Sequence, residues 1–221
     1  MGRFAFVNRP FLFLCNMKNP NVKAILFDLG GVLINLNYQN TINAFRALGI
    51  DNFENIYSQA QQKNLFNDFE TGKISSFHFI NRLLDLLPKG CNPNQVVSAW
   101  NAMILNFPAN RLDILEKLSV DYKLFLLSNT NDLHMEKVRR ELKKTTGRAL
   151  ESFFEKTFLS QEIKLRKPEP EVFLEVAKQI QLDPNEILFV DDSIQHINSA
   201  KKIGFQVIHL TSELENHPYF S

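Results

Sequence analysis

Residues 23–37 read K-A-I-L-F-D-L-G-G-V-L-I-N-L-N, and the reading of this stretch decides the fold. Ala24 to Phe27 form an unbroken apolar run, as expected of a strand buried on both faces of a parallel sheet. An acid, Asp28, follows at once. Gly30 and Gly31 come next, residues that suit a tight loop with close backbone approach. In open α/β sheets the carboxyl ends of the strands are where ligands bind. A carboxylate placed there can hold metal, act as a nucleophile, or simply turn the chain.

Beyond this loop no strand pattern appears between Ile34 and Phe107. Helical periodicity is read instead over 38–48, 53–66, 76–87 and 96–105. Gly49, the F-E-T-G-K-I-S segment at 69–75 and a loop over 88–93 punctuate these helices. Pro108 restarts an alternation of strand and helix. A helix over 109–119 precedes a strand over 123–127 that ends in Ser128-Asn129-Thr130-Asn131. A helix over 132–143, a short strand over 157–159 and a helix over 169–180 follow. The strand over 187–190 ends in Asp191-Asp192, and the helix over 194–203, closed by Gly204, leads to a last strand over 206–210. This alternation predicts an α/β fold, a doubly wound parallel sheet, with a small all-helical cap inserted after the first strand. The expected domains are a core of 21–36 plus 107–221 and a cap of 37–106. Residues 1–20 are expected to be a disordered or loosely packed extension, with Met17 as the functional start.

Composition narrows the function classes. With 44% hydrophobic and 22% charged residues, this is an ordinary globular chain. A net charge of +1 gives no bulk field for nucleic acid or an anionic membrane, so neither is expected as a partner. Cys15 and Cys91 share no metal or disulfide spacing, which makes a reducing compartment the default. The apolar runs at 4–7 and 11–15 are split by Asn8, Arg9 and Pro10, a poor secretory signal. A cytoplasmic location is therefore expected. Phe is abundant, at 20 residues, and points to a phenylalanine-rich core.

In a parallel sheet the ends carrying Asp28, Ser128 and Asp191-Asp192, with the region of Lys167, can converge. Together they offer a carboxylate nucleophile, a hydroxyl, an ammonium and a second acidic group. Those parts suit phosphoryl transfer: a carboxylate attacks phosphorus while Mg²⁺ on oxygen ligands and a lysine neutralise the phosphoryl oxygens. Each part also has a plain structural reading. Ser128 and Asn129 are common turn formers, and the run Lys164, Arg166, Lys167 reads as a solvated face. The acidic pair can cap the helix from Ile194, and His134 and His196 read as ordinary helix residues without partners at metal spacing.

Over 22–210 the chain resembles the haloacid dehalogenase-like (HAD) hydrolase superfamily in four ordered pieces. Asp28-Leu29-Gly30-Gly31-Val32 is similar to motif I, which implies Asp28 as nucleophile. Leu127-Ser128-Asn129 is similar to motif II, where the hydroxyl and neighbouring backbone N–H groups hold phosphate. Lys167-Pro168 is similar to motif III, whose lysine steadies phosphate and nucleophile. Asp191-Asp192 is similar to motif IV, the acidic pair that binds metal with the nucleophile and the Gly30 carbonyl. The surrounding wording is closest to the small sugar-phosphate phosphatases, and the Glu70-Thr71-Gly72-Lys73 segment resembles a cap loop facing the site in that group. The resemblance thus implies a Mg²⁺-dependent phosphatase acting on a small phosphorylated metabolite through an aspartyl-phosphate. A catalytically silent phospho-ligand or protein-binding module is the alternative, and a metal-independent dehalogenase a further one.

Four positions depart from the family pattern. Where its phosphatases carry an acid two residues after the nucleophile, this chain has Gly30. Asn35 and Asn37 replace acids found slightly further on in the sugar-phosphate group, and amides exchange no protons near neutral pH. His196 stands where Asp or Asn is usual. On Gly30 alone, good leaving groups such as anomeric or acyl phosphates are expected to be favoured.

Overall fold

The computed structural model describes residues 21–50, 53 and 64–220. The expected extension over 1–20 and most of the helix expected over 53–66 lie outside the described residues. A five-stranded sheet is built from β1 (Ala24–Phe27), β2 (Lys123–Ser128), β3 (Lys156–Leu159), β4 (Ile187–Asp191) and β5 (Gln206–His209). Every pairing is parallel, in the order β3-β2-β1-β4-β5. From β1 the chain winds outward to β2 and β3, then crosses back to pair β4 with the other edge of β1. The order reverses at β1, which makes its carboxyl end the switch point where such sheets bind ligands.

Between β1 and β2 run α1 (Tyr38–Ala47), α2 (Leu65–Glu70), α3 (Ser76–Leu84) and α4 (Pro93–Trp100), before α5 (Ala109–Leu118) returns to the sheet. After β2 come α6 (Asp132–Thr146), the short α7 (Ser160–Ile163), α8 (Pro170–Ile180) and α9 (Ile194–Ile203). The strands' period of two sends alternate residues to two cores. Ile25, Phe27, Leu126 and Val190 join α5 and α6 on one face. Leu26, Leu127 and Phe189 join α8 and α9 on the other. Both faces are covered, which is why the strands read as continuous apolar runs.

A third cluster belongs to the helical segment and takes up many of the phenylalanines: Phe45, Phe53, Phe66, Phe69 and Phe79 around Trp100. Phe69 stacks on Phe79 at 4.1 Å, and Phe66 on Trp100 at 5.4 Å. Several boundaries differ from expectation here. α2 continues through Phe69 and Glu70 because Phe66 and Phe69, three apart, both bury. The chain breaks only at Thr71, whose N–H and hydroxyl both donate to the Asn67 carbonyl. α4 starts at Pro93 rather than 96, since Asn92 and Gln95 form a capping box ahead of a first-turn proline. It also gives way at Trp100 to a 3₁₀ turn over Asn101–Met103.

Candidate active site

Asp28 follows β1 directly and is 8% exposed, its N–H donating to the Val190 carbonyl at 2.9 Å. The loop after it folds tightly, with Leu33 and Ile34 both donating to the Leu29 carbonyl at 2.9 Å. Gly31 sits at φ +73°, and a Cβ on it would collide with the Asp192 carboxylate. It is therefore Gly31, not Gly30, that the turn and the close approach require. A Cβ on Gly30 would meet only the Cδ1 of Leu36, at 2.6 Å.

Lys167 is fully buried, which removes the reading of a solvated charge run. Its three ammonium protons meet three acceptors: Asp28 Oδ1 at 2.8 Å, Asp191 Oδ2 at 2.7 Å and the Leu127 carbonyl at 3.0 Å. Asn129 fixes the lysine's backbone from both sides. Its Nδ2 donates to the Lys167 carbonyl at 2.8 Å, and its Oδ1 accepts the Lys167 N–H at 2.9 Å. The Asn129 side chain is thus committed to positioning Lys167. Ser128, buried at the end of β2, lines the same cavity as Asp28 and Lys167.

Neither acid of the 191–192 pair caps α9. Ser193 is the N-cap residue, and Asp191 Oδ1 accepts the Ser193 N–H at 2.7 Å. His196 is no ordinary helix residue either: its Nδ1 lies 3.0 Å from both oxygens of Asp191. Sequence reasoning passed over it because the contact spans one helical turn and a strand end.

These charges set one another. Burial, aided by Asp191, outweighs the pull of Lys167 and holds Asp28 up at about 6. Burial lowers Lys167, but Asp28 and Asp191 outweigh it and hold its pKa above the ordinary lysine value. Burial also acts to raise Asp191, yet Lys167 and His196 keep it below the ordinary aspartate value. Asp192 is raised by burial and by Asp191 beside it. One oxygen from each of Asp28, Asp191 and Asp192 lies within 4.8 Å of the others. Three carboxylates facing one ammonium leave two negative charges uncompensated, and all the donors are hard oxygens. That donor set fits Mg²⁺.

Above these residues lies a cavity of about 570 Å³ roofed by the helical segment. Glu70, at the end of α2, lines it, in line with the expectation for the 70–73 loop. Its Oε2 lies 3.0 Å from Arg166 Nη2, while Arg166 Nη1 donates to Asn67 Oδ1 at 3.0 Å. Lys164 Nζ donates to the Gly72 carbonyl at 2.9 Å, so the segment before α8 holds α2 at two points and the loop after α2 at a third. Burial raises Glu70 above the ordinary glutamate value against the pull of Arg166. At the opposite wall His134 stacks on Trp100 at 4.9 Å, its Nε2 3.3 Å from the Trp100 carbonyl and its Nδ1 3.1 Å from Asn131 Nδ2. Burial drives its pKa down to about 4, so the ring is neutral at ordinary pH. Sequence reasoning missed Arg166, Trp100 and His134, since nothing local to them marks a cavity wall.

Among the described residues no helix is long and apolar enough to cross a membrane. Comparison with known proteins bears on the same geometry. A profile of haloacid dehalogenase-like hydrolases matches residues 22–204. The chain is 30% identical over 185 residues to a D-ribitol-5-phosphate phosphatase of Bacteroides thetaiotaomicron, covering 84% of this chain and 90% of that one. A glyceraldehyde 3-phosphate phosphatase of Pyrococcus abyssi is 24% identical over 200 residues, with 85% and 80% covered. Among solved structures, an HAD family enzyme of B. thetaiotaomicron in complex with magnesium and inorganic phosphate superposes with a TM-score of 0.78 at 37% identity, covering 85% of this chain and 93% of that one. The sheet order, the four converging strand-end groups and these likenesses agree, and the chain belongs to the haloacid dehalogenase-like hydrolase family.

Proposed function

We propose that this chain is a Mg²⁺-dependent phosphatase that frees phosphate from a small sugar or polyol phosphate through an aspartyl-phosphate on Asp28. The observation that carries this reading is the buried Lys167, which ties Asp28 to Asp191 at the foot of the cavity. Asp28, Asp191 and Asp192, with the Gly30 carbonyl, would hold the cation, which supplies positive charge to the phosphoryl oxygens when bound. Lys167 orients the Asp28 carboxylate toward phosphorus and keeps positive charge beside it. Ser128 and the backbone at Asn129 receive the phosphoryl oxygens, the role the family pattern gives them. The Asp28 carboxylate attacks phosphorus, the ester oxygen leaves, and water then cleaves the acyl phosphate to restore the aspartate. The segment 37–106 acts as the cap that closes the cavity over 21–36 and 107–221 and shields the acyl phosphate. The cavity's polar rim, with an apolar wall from Ile42, Trp100 and Met103, suits a small polyol chain. The two curated relatives above act, by name, on phosphates of this size.

A phosphate-release screen over sugar, polyol and acyl phosphates tests this, run with Mg²⁺, with EDTA, and with Asp28→Asn. Activity should require Mg²⁺ and vanish in the near-isosteric variant, while inorganic phosphate still binds. Full activity in EDTA, or in Asp28→Asn, overturns the proposal. Phosphate binding without turnover on any substrate would instead favour a silent phospho-ligand module.

A further inference from the structure

We propose that Glu70 is the general acid–base of this site, protonating the alcohol that leaves and then activating the water that follows. The inference rests on the phosphatase reading above. An alkoxide is a poor leaving group, so cleavage of an alkyl phosphate needs a proton at the ester oxygen in the transition state. Motif I supplies none, because Gly30, Asn35 and Asn37 carry no group that titrates near neutrality.

The cavity walls leave few candidates. Asp28 is the nucleophile, and Asp192 belongs to the metal-binding set. Lys167 has its three protons committed to Asp28, Asp191 and Leu127. His134 has both ring nitrogens occupied, one by Asn131 and one by the Trp100 carbonyl. His196 is bonded through Nδ1 alone, to both oxygens of Asp191, and that bond holds its ring in the floor with the metal-binding acids rather than in the roof where the alcohol leaves. Arg166 offers a guanidinium, a donor-only group that does not cycle a proton. Tyr38 lies 65% exposed, and a phenol is a weak acid near neutrality. Glu70 remains.

Its seat suits the task. It projects from the end of a helix in the roof, while the nucleophile sits in the floor of the same cavity. A substrate between them has its phosphoryl group below and its leaving group above. Arg166 Nη2, 3.0 Å from Oε2, fixes the carboxyl's position, and Asn67 fixes the guanidinium in turn. Burial favours the protonated form, which supports an acid's role before the first step.

The proton balance closes over one turnover. As Asp28 attacks, the bond from phosphorus to the ester oxygen breaks, and the Glu70 proton passes to that oxygen to give the free alcohol. Glu70, now a carboxylate, takes a proton from water as that water attacks phosphorus. The bond from phosphorus to Asp28 breaks, phosphate departs, and Glu70 is again an acid. Alkyl phosphates then come within reach, beyond the good leaving groups expected from Gly30 alone.

The test uses the full chain with Mg²⁺ on 4-nitrophenyl phosphate, whose leaving group needs no proton, and on the alkyl phosphate turned over best by the wild type. Glu70→Gln keeps an oxygen for Arg166 but holds no transferable proton. Its kcat/KM on the alkyl substrate, which reports the steps up to the acyl phosphate, should fall about 10²–10³-fold. Its kcat/KM on the aryl substrate should fall far less, while kcat drops on both because hydrolysis of the acyl phosphate loses its base. Glu70→Asp, which keeps an acid at shorter reach, should recover part of the alkyl rate. A wild-type series of aryl phosphates, which needs no variant to fold, should show only a shallow dependence on leaving-group acidity. Equal loss of kcat/KM on both substrates makes Glu70 a seat for Arg166 and overturns the proposal. So does an unchanged alkyl rate in Glu70→Gln or a steep wild-type series. Absence of wild-type turnover on either phosphate overturns the phosphatase reading itself, a separate outcome.

Discussion

At the floor of the cavity one lysine spends its three protons on two carboxylates and a carbonyl, all buried at strand ends. At the roof, Phe66, Phe69, Phe79 and Trp100 stack as a block of rings, held to the floor by Arg166, Lys164 and the His134 edge. The floor is specified by charge and hydrogen-bond geometry, where a shift of an ångström removes an interaction. The roof is specified by shape and burial, which tolerate exchange of one apolar side chain for another. The nucleophile and the metal-binding acids can therefore stay fixed in the floor while the apolar part of the roof changes to suit a different substrate.

The sharpest way to break this comparison is Lys167→Met. It leaves Asp28 and Asp191 buried and facing each other without the cation between them, a change that costs about 3–5 kcal/mol. We expect that loss as a lower urea midpoint in EDTA, partly regained when Mg²⁺ is added, since the metal takes over the same carboxylates. Phosphate release should be lost in both conditions. A variant as stable as wild type in EDTA would mean that the floor is not organised by this lysine.

The roof should respond to acid, because His134 is neutral in its seat against Trp100. An unfolded histidine titrates near 6.5, whereas the folded one is driven down to about 4 by burial. Between those values the unfolded chain takes up a proton that the folded chain does not. His134 therefore costs stability progressively as pH falls from about 6.5 to about 4. The effect is on the order of 2 kcal/mol, below the full shift because the ring borders the cavity. Asp28 has the opposite sign: burial raises it to about 6, so the folded chain takes the proton first and gains stability on acidification. Trp100 is the chain's one tryptophan and reports the roof directly. Urea midpoints followed by its emission should fall with pH more steeply in the wild type than in His134→Gln. Parallel curves would remove His134 from the account.

What the sequence made legible follows from the same contrast. Ala24 to Phe27 and Ile187 to Val190 were readable as strands because burial on both faces leaves an unbroken apolar run. Asp28, Ser128 and the 191–192 pair were readable as neighbours because each sits at or beside a strand end, where sequence position nearly fixes spatial position, whereas Lys167 lies past β3 and α7 in the loop before α8. The Lys167 bridge to Asp191 was not, since 24 residues separate the two and only the crossover past β1 brings them together. The Arg166–Glu70 pair was still less legible. It joins α2 to the loop before α8, and no local periodicity encodes where one packed body rests on another. The start of α4 at Pro93 was in the sequence all along, in the Asn92 and Gln95 capping box, and the apolar pattern that begins at Val96 obscured it.

The smallest effect concerns two adjacent glycines that the sequence alone could not tell apart. Gly31 stands at φ +73°, where a side chain costs about 1–2 kcal/mol, and its missing Cβ is the space that the Asp192 carboxylate occupies. Gly31→Ala should therefore lower the urea midpoint by about that amount. It should also raise the Mg²⁺ concentration that half-saturates phosphate release, because Asp192 must move. Gly30 lies outside the left-handed region, and a methyl there meets only the end of Leu36, a flexible chain that can swing aside. Gly30→Ala should cost under about 1 kcal/mol and leave the Mg²⁺ dependence unchanged. That difference separates the pair: Gly31 makes room for the Asp192 carboxylate, while Gly30 tolerates a side chain. If Gly30→Ala proves the more damaging of the two, or shifts the Mg²⁺ requirement as far as Gly31→Ala does, the loop is held by the first glycine. The division drawn here between them is then wrong.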